Sequence, residues 1–450
     1  MTELETRTIR KVTRRLIPFL LLCYFGAYLD RVNVGFAHNQ MIESLGMSET
    51  AYGFGAGMFF IAYFLFEVPS NIWLEKFGAR MWIARIMVSW GIVSACFAFI
   101  PQISHYTGIS NEWTFYILRF TLGVMEAGFY PGIIFYLTLW FPKLYRARMV
   151  SLFMLAIPMS SIVGGPLSGA LLNLSGWDLE GWQWLYFIEG TPSIVLGVLT
   201  FFYLDDFPYV ARWLSRDEID WLQGRLQQEA AGSGHDDHSF RAFLKMMSNP
   251  MIVALIGIYT LYVTAGYATT FFLPAIVKAM GLSNLGMGLV VAIPSVCGAI
   301  GMTVMGRSSD RHRERKYHLA FALTLNCVGL LGGALAAGAV IRIVFFSIAS
   351  VGASSMVPIF WTLPPTLIQR GQLAAGIAAV NAVGALGGFF GPSIMGYTKQ
   401  ATGSPTAGLL VMAAFVALAV AITVALRLKR EEPAPLVVPT GMAGADAAGR

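Results

Sequence analysis

The sequence has few charged residues and few cysteines. Lys, Arg, Asp and Glu make up 12% of its 450 residues, about half the fraction of an average soluble domain. The four cysteines all fall within apolar stretches, where a thiol usually behaves as a small hydrophobic group rather than as half of a disulfide. No Cys/His cluster has metal-ligand spacing, and no Gly-x-Ser-x-Gly, His-Glu-x-x-His or phosphate-loop pattern occurs. We therefore expect that the protein is not an enzyme and that it has neither a metal site nor a cofactor.

Long hydrophobic runs dominate instead. Hydrophobic residues make up 56% of the chain, and the mean hydropathy is +0.63. Runs of about 20 apolar residues are long enough to cross a hydrocarbon core of ~30 Å as helices. Twelve such runs lie near residues 16–37, 52–74, 81–100, 113–137, 149–172, 183–203, 250–274, 286–306, 317–338, 341–367, 372–397 and 405–426. We predict an all-α membrane protein with twelve transmembrane helices.

The basic residues alternate from loop to loop and predict the orientation. Arg7 to Arg15 precede the first run, and further Lys and Arg follow every second run, whereas loops 38–51, 101–112 and 173–181 contain none. By the positive-inside rule both termini are expected to be cytoplasmic, in a multi-pass protein of the cell inner membrane. These loops account for the net charge of +6, so we expect contact with membrane lipid and none with nucleic acid. No removable signal peptide is expected.

The chain is predicted to divide into two similar halves. An N-terminal tail, 1–15, precedes a six-helix bundle at 16–203; a cytoplasmic linker, 204–249, leads to a second bundle at 250–427 and a tail, 428–450, expected to be disordered. An offset of about 235 residues aligns the charges of Glu75–Arg80 with those of Asp310–Arg315. A capping Ser215 before acids and spaced apolar residues predicts an amphipathic surface helix in the linker. We expect a monomer.

The loop after the second run resembles a family motif. Asn71-Ile-Trp-Leu-Glu75-Lys76-Phe-Gly78-Ala-Arg80 is similar to the loop motif of the major facilitator superfamily, although Asn71 replaces its usual Gly and Glu75 its usual Asp. The resemblance implies two pseudo-symmetric six-helix bundles that rock about a central site. It also implies a conformational latch in the second loop of each half, formed by Glu75, Lys76, Arg80, Asp310 and Arg311.

Four charged residues lie deep within predicted spans. Asp30 and Arg31 are in the first, and Arg119 and Glu126 are in the fourth. A charge at a bilayer centre costs at least roughly 2.5–3.5 kcal/mol, so such residues normally face a cavity or a partner. The seven-residue spacing places Arg119 and Glu126 on one face, about 10 Å apart. Two alternatives are a permanent Asp30–Arg31 salt bridge, although adjacent helical residues do not face each other, and an Arg119 that reaches the outer boundary beside a structural Glu126.

These residues, with Ala127-Gly128-x-x-Pro131-Gly132, closely resemble the anion:cation symporter branch, which takes up small organic acids such as tartrate, sugar acids and aromatic acids. A guanidinium fork matches a carboxylate and stays charged, so Arg31 is our first candidate for the substrate carboxylate and Arg119 our second. Asp30 and Glu126 are the candidates for proton coupling, because a carboxyl group in an apolar cavity can hold a proton near neutral pH. Sodium is a less favoured coupling ion.

The second half has no acid or base deep in a span. Tyr267, Trp361 and Asn381 could supply neutral hydrogen bonds and an aromatic wall, although each aromatic residue could equally face lipid or pack. Glu67 is interpreted as a partner of the basic loop rather than a substrate contact, and Glu189 is assigned no role.

The leading hypothesis is a proton-coupled symporter that imports a mono- or dicarboxylate by alternating access. A proton antiporter exporting amphipathic compounds is the second transport hypothesis, and the paired arginines argue against it. A membrane-embedded receptor or enzyme is the alternative from another class; the lack of a sizeable soluble domain and of catalytic motifs argues against it.

Overall fold

A computed structural model describes residues 2–231, 249–368 and 373–426. Twelve helices in this part of the chain are long and apolar enough to cross a membrane, as predicted. The Gly232-Ser233-Gly234 stretch of the linker and the C-terminal tail, 428–450, lie outside the described residues. The N-terminal tail is helical and continuous with the first span.

The spans are numbered in chain order. Spans 1 to 6 are Glu3–Leu45, Glu49–Phe77, Ala79–Thr107, Asn111–Trp140, Lys143–Leu171 and Gly181–Tyr203. Spans 7 to 12 are Pro250–Lys278, Asn284–His312, Lys316–Leu335, Ala339–Phe360, Gly376–Thr402 and Pro405–Ala425. The apolar run expected at 341–367 is shorter as a helix, because Pro364 and Pro365 cannot continue it; a separate short helix covers Pro364–Leu367.

Several spans are interrupted. Span 4 consists of helices Asn111–Glu126 and Phe129–Trp140, joined through Gly128 at φ 86°. Span 5 consists of Lys143–Met154 and Ala156–Leu171. The helices of span 11 are Leu373–Ala385 and Gly387–Thr402. Interrupted helices free backbone groups within the bundle, which only a protein-lined interior tolerates.

We call the end of the bundle that carries Lys76, Arg80, Arg146 and Arg311 the basic end, and the other the opposite end. The halves pack closely at the opposite end, where span 2 lies on span 11 and span 5 on span 8. A Cβ added to Gly165 of span 5 would meet the Gly288 carbonyl oxygen of span 8 at 2.6 Å. Because no side chain fits there, the two backbones can approach directly.

The linker contains the predicted surface helix, Arg216–Ala231. The Ser215 backbone amide donates to Glu218 Oε2 at 2.9 Å, and Glu218 also pairs with Arg7 at 3.1 Å and Lys11 at 3.0 Å. Burial opposes ionisation of Glu218, but the Ser215 amide, Lys11 and Arg7 together hold its pKa below the ordinary value of 4.5. The linker helix is thereby fixed to the N-terminal part of span 1.

Candidate functional site

The centre of the site is an ion pair between Arg31 of span 1 and Glu126 of span 4. Arg31 Nη2 donates to Glu126 Oε1, with side chains 13% and 2% exposed. The Arg31 guanidinium also lies 5.3 Å from the Phe59 ring centre and 5.5 Å from that of Tyr63, both on span 2. A charged pair held against aromatic rings is poorly hydrated, so each partner depends on the other for stabilisation.

The break in span 4 positions Glu126 at a helix end. Glu126 is the last residue of its helix, and Gly128 follows in the left-handed region. A Cβ at Gly128 would lie 2.3 Å from Ser70 Oγ, and one at Gly123 would lie 2.2 Å from the Phe59 carbonyl oxygen. The small residues of span 4 therefore allow the expected close approach of a neighbouring helix, which is span 2.

Arg119 lies deep in the protein and shares the Phe59 ring with Arg31. It is fully buried, and its guanidinium carbon lies 5.3 Å from the Phe59 ring centre and 5.9 Å from that of Phe271 in span 7. Nη2 donates to the Ala56 carbonyl oxygen at 2.9 Å. Nε and Nη1 have no hydrogen-bond partner among the described residues. The alternative in which Arg119 reaches the boundary is thus wrong, and the residue keeps donors free within the interior.

Asp30 points away from Arg31. Its carboxylate accepts hydrogen bonds from Trp90 Nε1 at 3.0 Å, Ser94 Oγ at 2.9 Å and Ser193 Oγ at 2.9 Å. All three donors are neutral and belong to spans 3 and 6. The alternative of an Asp30–Arg31 salt bridge is therefore wrong, and the geometric expectation that adjacent residues take different partners is confirmed.

Sequence reasoning did not identify these donors. A signal existed, because Trp90 and Ser94 are four residues apart and share one face of span 3. Another acid of the first half, Glu189, is also buried and accepts from Ser168 Oγ at 2.7 Å. Among the described residues, no group of three or more His, Cys, Asp or Glu side chains could hold a metal ion.

Three residues of the second half were predicted to contact the substrate, and the structure gives each of them different surroundings. The Tyr267 ring lies 4.3 Å from that of Phe60 in span 2, so it faces the first half. Asn381 Nδ2 donates to Glu67 Oε1 across the halves at 3.4 Å. Trp361 packs against Tyr259 of its own half, with ring centres 5.2 Å apart. Tyr267 and Asn381 therefore border the interface of the halves directly.

The interpretation of Glu67 as a partner of the basic loop is wrong. Its sequence position favours a contact with the basic loop, but its side chain is buried and accepts from Asn381. Glu67 precedes Pro69 on a helix face that turns toward span 11 rather than toward the loop, so its contact is with the second half.

The predicted latch residues lie at the basic end, and their described ion pairs and hydrogen bonds do not join the two halves. The Arg80 backbone amide donates to Asp206 Oδ1 at 2.9 Å, and Arg80 Nε lies 3.6 Å from Asp206 Oδ2. Asp310 pairs with Arg315 at 2.6 Å. Glu75, Lys76 and Arg311 are exposed. Their role as a latch stays a prediction.

An ionic cluster joins the halves at the opposite end, and sequence reasoning missed it. Glu49 of span 2 pairs with Lys399 of span 11 and with His38 Nε2 of span 1 at 2.9 Å. The Thr50 amide donates to Gln400 Oε1 at 3.0 Å. Only the fold brings span 11 beside span 2, so no local pattern could show this cluster.

The chain matches known proteins along most of its length. The family model described as Major Facilitator Superfamily matches residues 20–392 and 255–448. A "Putative tartrate transporter" of Agrobacterium vitis is 42% identical, covering 97% of this chain and 99% of its own. The "Putative metabolite transport protein NicT" of Pseudomonas putida is 41% identical, covering 93% and 94%. A "Quinolone resistance transporter" of Acinetobacter baumannii is 39% identical, covering 90% and 92%.

Solved structures show the same fold at low sequence identity. A bacterial homologue of the human lysosomal transporter Spinster, described as inward-facing, superposes with a TM-score of 0.72 at 16% identity, covering 92% of this chain and 96% of its own. The xylose transporter XylE from Escherichia coli gives a TM-score of 0.72 at 14% identity, covering 94% and 100%. The chain belongs to the Major Facilitator Superfamily and is a multi-pass membrane transporter, not an enzyme.

Proposed function

We propose that the protein takes up a small organic anion, a mono- or dicarboxylate, together with a proton. The Arg31–Glu126 pair at the break of span 4 carries this proposal, because it joins the group best suited to bind a carboxylate to a group that can carry a proton. The printed name of the Agrobacterium vitis relative, which specifies tartrate, supports an organic acid as the substrate.

Competition for Arg31 couples the two ions in this scheme. The substrate carboxylate displaces Glu126 from the Arg31 fork and takes over its hydrogen bonds. The released Glu126 carboxylate would be an unpaired charge in a buried site, so it takes up a proton from the side open to water. Anion and proton then occupy the site together, and loss of the substrate restores the ion pair with release of the proton.

Arg119 and the second half complete the proposed substrate site. Arg119 has buried donors without a partner among the described residues, which suits a second carboxylate or a hydroxyl group of the substrate. Tyr267 and Asn381 border the same interface and would contact the body of the substrate, with Trp361 behind them. Asp30 is proposed as a second proton-coupling group, since it is buried among neutral donors only.

The contacts between the halves suggest the conformational state. The Glu49–Lys399 pair and the Gly165–Gly288 approach close the opposite end. With the basic end cytoplasmic, as the positive-inside rule predicts, both termini would be cytoplasmic and this conformation would be one that is closed toward the outside. In the outward-open state we expect the basic ends to close and Glu75, Lys76, Arg80, Asp310 and Arg311 to meet as a latch. The protein would work as a monomer in the cell inner membrane.

Transport in proteoliposomes tests this function. Labelled tartrate and labelled benzoate would be supplied outside vesicles with an inward proton gradient, an inward sodium gradient or neither. Accumulation above that of protein-free vesicles with the proton gradient alone supports symport, since benzoic acid itself crosses the bilayer, whereas such accumulation with the sodium gradient alone would replace the proton by sodium. The absence of any gradient-dependent accumulation for a broad panel of organic acids would contradict the proposal.

A second candidate is proton antiport that exports an amphipathic compound. The quinolone-resistance relative at 39% identity favours it. The same vesicles separate the two, because an antiporter moves its substrate against the direction of the protons. Expulsion of a preloaded quinolone by an inward proton gradient, with no uptake of acids, would favour this second candidate.

A further inference from the structure

A basic cavity lies outside the proposed transport site. It has a volume of about 690 Å³ and lies between the N-terminal part of span 1, the end of span 6 and the start of the linker. Its lining residues are Glu3, Thr6, Arg7, Arg10, Lys11, Arg14, Arg15, Tyr203 and Trp213. Five of these are basic and one is acidic, so the cavity suits an anion.

The charge of this cavity is only partly neutralised. Glu218 pairs with both Arg7 and Lys11. Arg10 and Arg14 are exposed, and no salt bridge to either is found in the described part of the chain. Arg15 likewise has no acidic partner within hydrogen-bonding distance there. Three arginines therefore form a local excess of positive charge that no acid among the described residues pairs with.

Arg15 is held in place by aromatic rings. Its guanidinium carbon lies 4.6 Å from the Tyr203 ring centre and 4.9 Å from that of Trp213. Nη2 donates to the Tyr203 carbonyl oxygen at 3.4 Å, and Nε is buried without a partner among the described residues. Trp213 Nε1 in turn donates to Asp205 at 2.8 Å. A guanidinium fixed in this way loses little entropy when it binds a phosphate.

The cavity lies at the depth of lipid headgroups. Arg15 immediately precedes the apolar run that starts at Leu16, and Tyr203 is the last residue of span 6. Tyr and Trp are typical of the membrane–water interface. Beside the cavity, Phe202 is 76% exposed and Val198 47% exposed on span 6. A ligand with a phosphate head could thus lay an acyl chain along span 6, which a free phosphate could not do.

We propose that this cavity binds the headgroup phosphate of an anionic phospholipid, with Arg10, Arg14 and Arg15 as its ligands. The bound lipid would join the N-terminal part of span 1, span 6 and the linker at one point of the membrane surface. Basic pockets beside membrane helices are suited to anionic headgroups, and each Lys or Arg near the surface strengthens such binding. The site is independent of the organic acid and of the proton.

Native mass spectrometry of the full chain in detergent tests the proposal. The protein is titrated with phosphatidylglycerol, phosphatidylcholine or inorganic phosphate. The variant Arg10→Gln/Arg14→Gln is compared with the matched control Arg307→Gln/Arg313→Gln, which removes the same charge from the basic end of the second half. We expect the first variant to bind phosphatidylglycerol roughly thirty-fold more weakly, the loss expected for two basic residues near a membrane surface. The control should bind as the unchanged protein does.

Three results would overturn the proposal. Equal binding of phosphatidylglycerol by both variants would show that the cavity is not the site. Equal binding of phosphatidylcholine would show that the headgroup charge is not recognised, and displacement of the lipid by equimolar inorganic phosphate would make this a site for a soluble anion. Arg15→Lys serves as a further variant: it keeps the charge and should still weaken binding, because the fork is lost. None of these measurements depends on transport.

Discussion

The two six-helix halves share an architecture and differ in what they bury. The first half buries Asp30, Glu67, Arg119, Glu126 and Glu189. In the second half, the buried polar residues of the described part are neutral: Thr264, Ser309, Asn326, Ser355 and Thr423. Buried charge is costly and is retained only where partners or function compensate it.

Under the proposed function, this difference would assign different tasks to the two halves. The groups that we propose to bind the anion and move the proton lie in spans 1 and 4, and their described hydrogen bonds are to residues of the first half. The second half offers aromatic rings, the Asn381 amide and glycine contacts to the first half, and its one described ion pair with the first half, Lys399–Glu49, lies at the opposite end. Because the described second half buries no charge, its interior makes no demand for a compensating ionic partner.

Replacing the Arg31 guanidinium should have the largest effect, because substrate affinity is proposed to depend on this residue of the first half. Arg31→Lys keeps the charge but loses the paired donors, so we expect substrate affinity to fall about 100-fold, the loss expected for a charged two-bond contact. Isothermal titration with the transported acid measures this effect. Arg342→Lys in the second half is the control, because it makes the same substitution at an arginine that lies outside the proposed site and donates to the Ala336 carbonyl oxygen. Equal affinity in Arg31→Lys and the control would remove Arg31 from the site.

Glu126→Gln should separate exchange from accumulation. The amide imitates the protonated carboxyl group, so counterflow of labelled acid should continue, whereas uptake driven by a pH gradient should fall to the background of empty vesicles. Both assays are run in the same vesicles. Glu112→Gln, on the same span at the opposite end, should keep both activities. If Glu126→Gln still accumulates the acid against its gradient, the proton is carried elsewhere, and Glu189 would be tested next.

Asp30→Asn should reduce counterflow and pH-driven uptake, and it should also lower the stability of the folded protein. The carboxylate accepts three hydrogen bonds, and an amide nitrogen in its place would face donors instead of accepting from them. We expect a loss of about 1–3 kcal/mol of stability for the group left unpaired. A thermal unfolding scan in detergent compares the variant with Asp178→Asn in an exposed loop. An unchanged unfolding temperature would mean that Asp30 is not held as the structure shows.

The latch variants should have smaller effects. Glu75→Gln and Asp310→Asn should each slow turnover several-fold and leave substrate affinity unchanged, because both side chains lie at the basic end and away from the Arg31 site. Each acts in one half, so similar slowing by both would support a shared role. Initial rates and binding isotherms are measured on the same preparations. Weaker binding with normal turnover would place either residue in the substrate site instead.

The smallest expected effect is a loosening of the contact between the linker helix and span 1 on acidification. The pKa of Glu218 is lowered in the folded protein from 4.5, so its contacts with Arg7 and Lys11 stabilise the fold above that value. This stabilisation is lost as the pH falls below 4.5 through the folded pKa. Spin labels at Thr2 and Gln227 should report a longer distance at low pH than at pH 7. Glu218→Gln should show the longer distance at both, and an unchanged distance in this variant would contradict the linkage.

Much of the fold could be predicted because a membrane constrains a chain locally. A run of apolar residues such as 405–426 must form a helix to satisfy its backbone in lipid, and the loop charges predict which ends share a side. The cost of burying a charge likewise makes Arg31, Arg119 and Glu126 candidates from the sequence alone, as each needs a partner or a cavity. The roles of these residues stay predictions.

The partners themselves were decided by the tertiary structure. No spacing in the sequence shows that Asp30 meets Trp90, Ser94 and Ser193 rather than Arg31, or that Glu67 meets Asn381 across 314 residues. The Glu49–Lys399 pair joins residues 350 positions apart, and Arg15 meets Trp213 only because the linker folds back. Local patterns determine which residues are expensive to bury, since that cost depends on residue type and depth. Which partner compensates that free-energy cost depends on how distant helices pack, and this packing is a property of the whole fold.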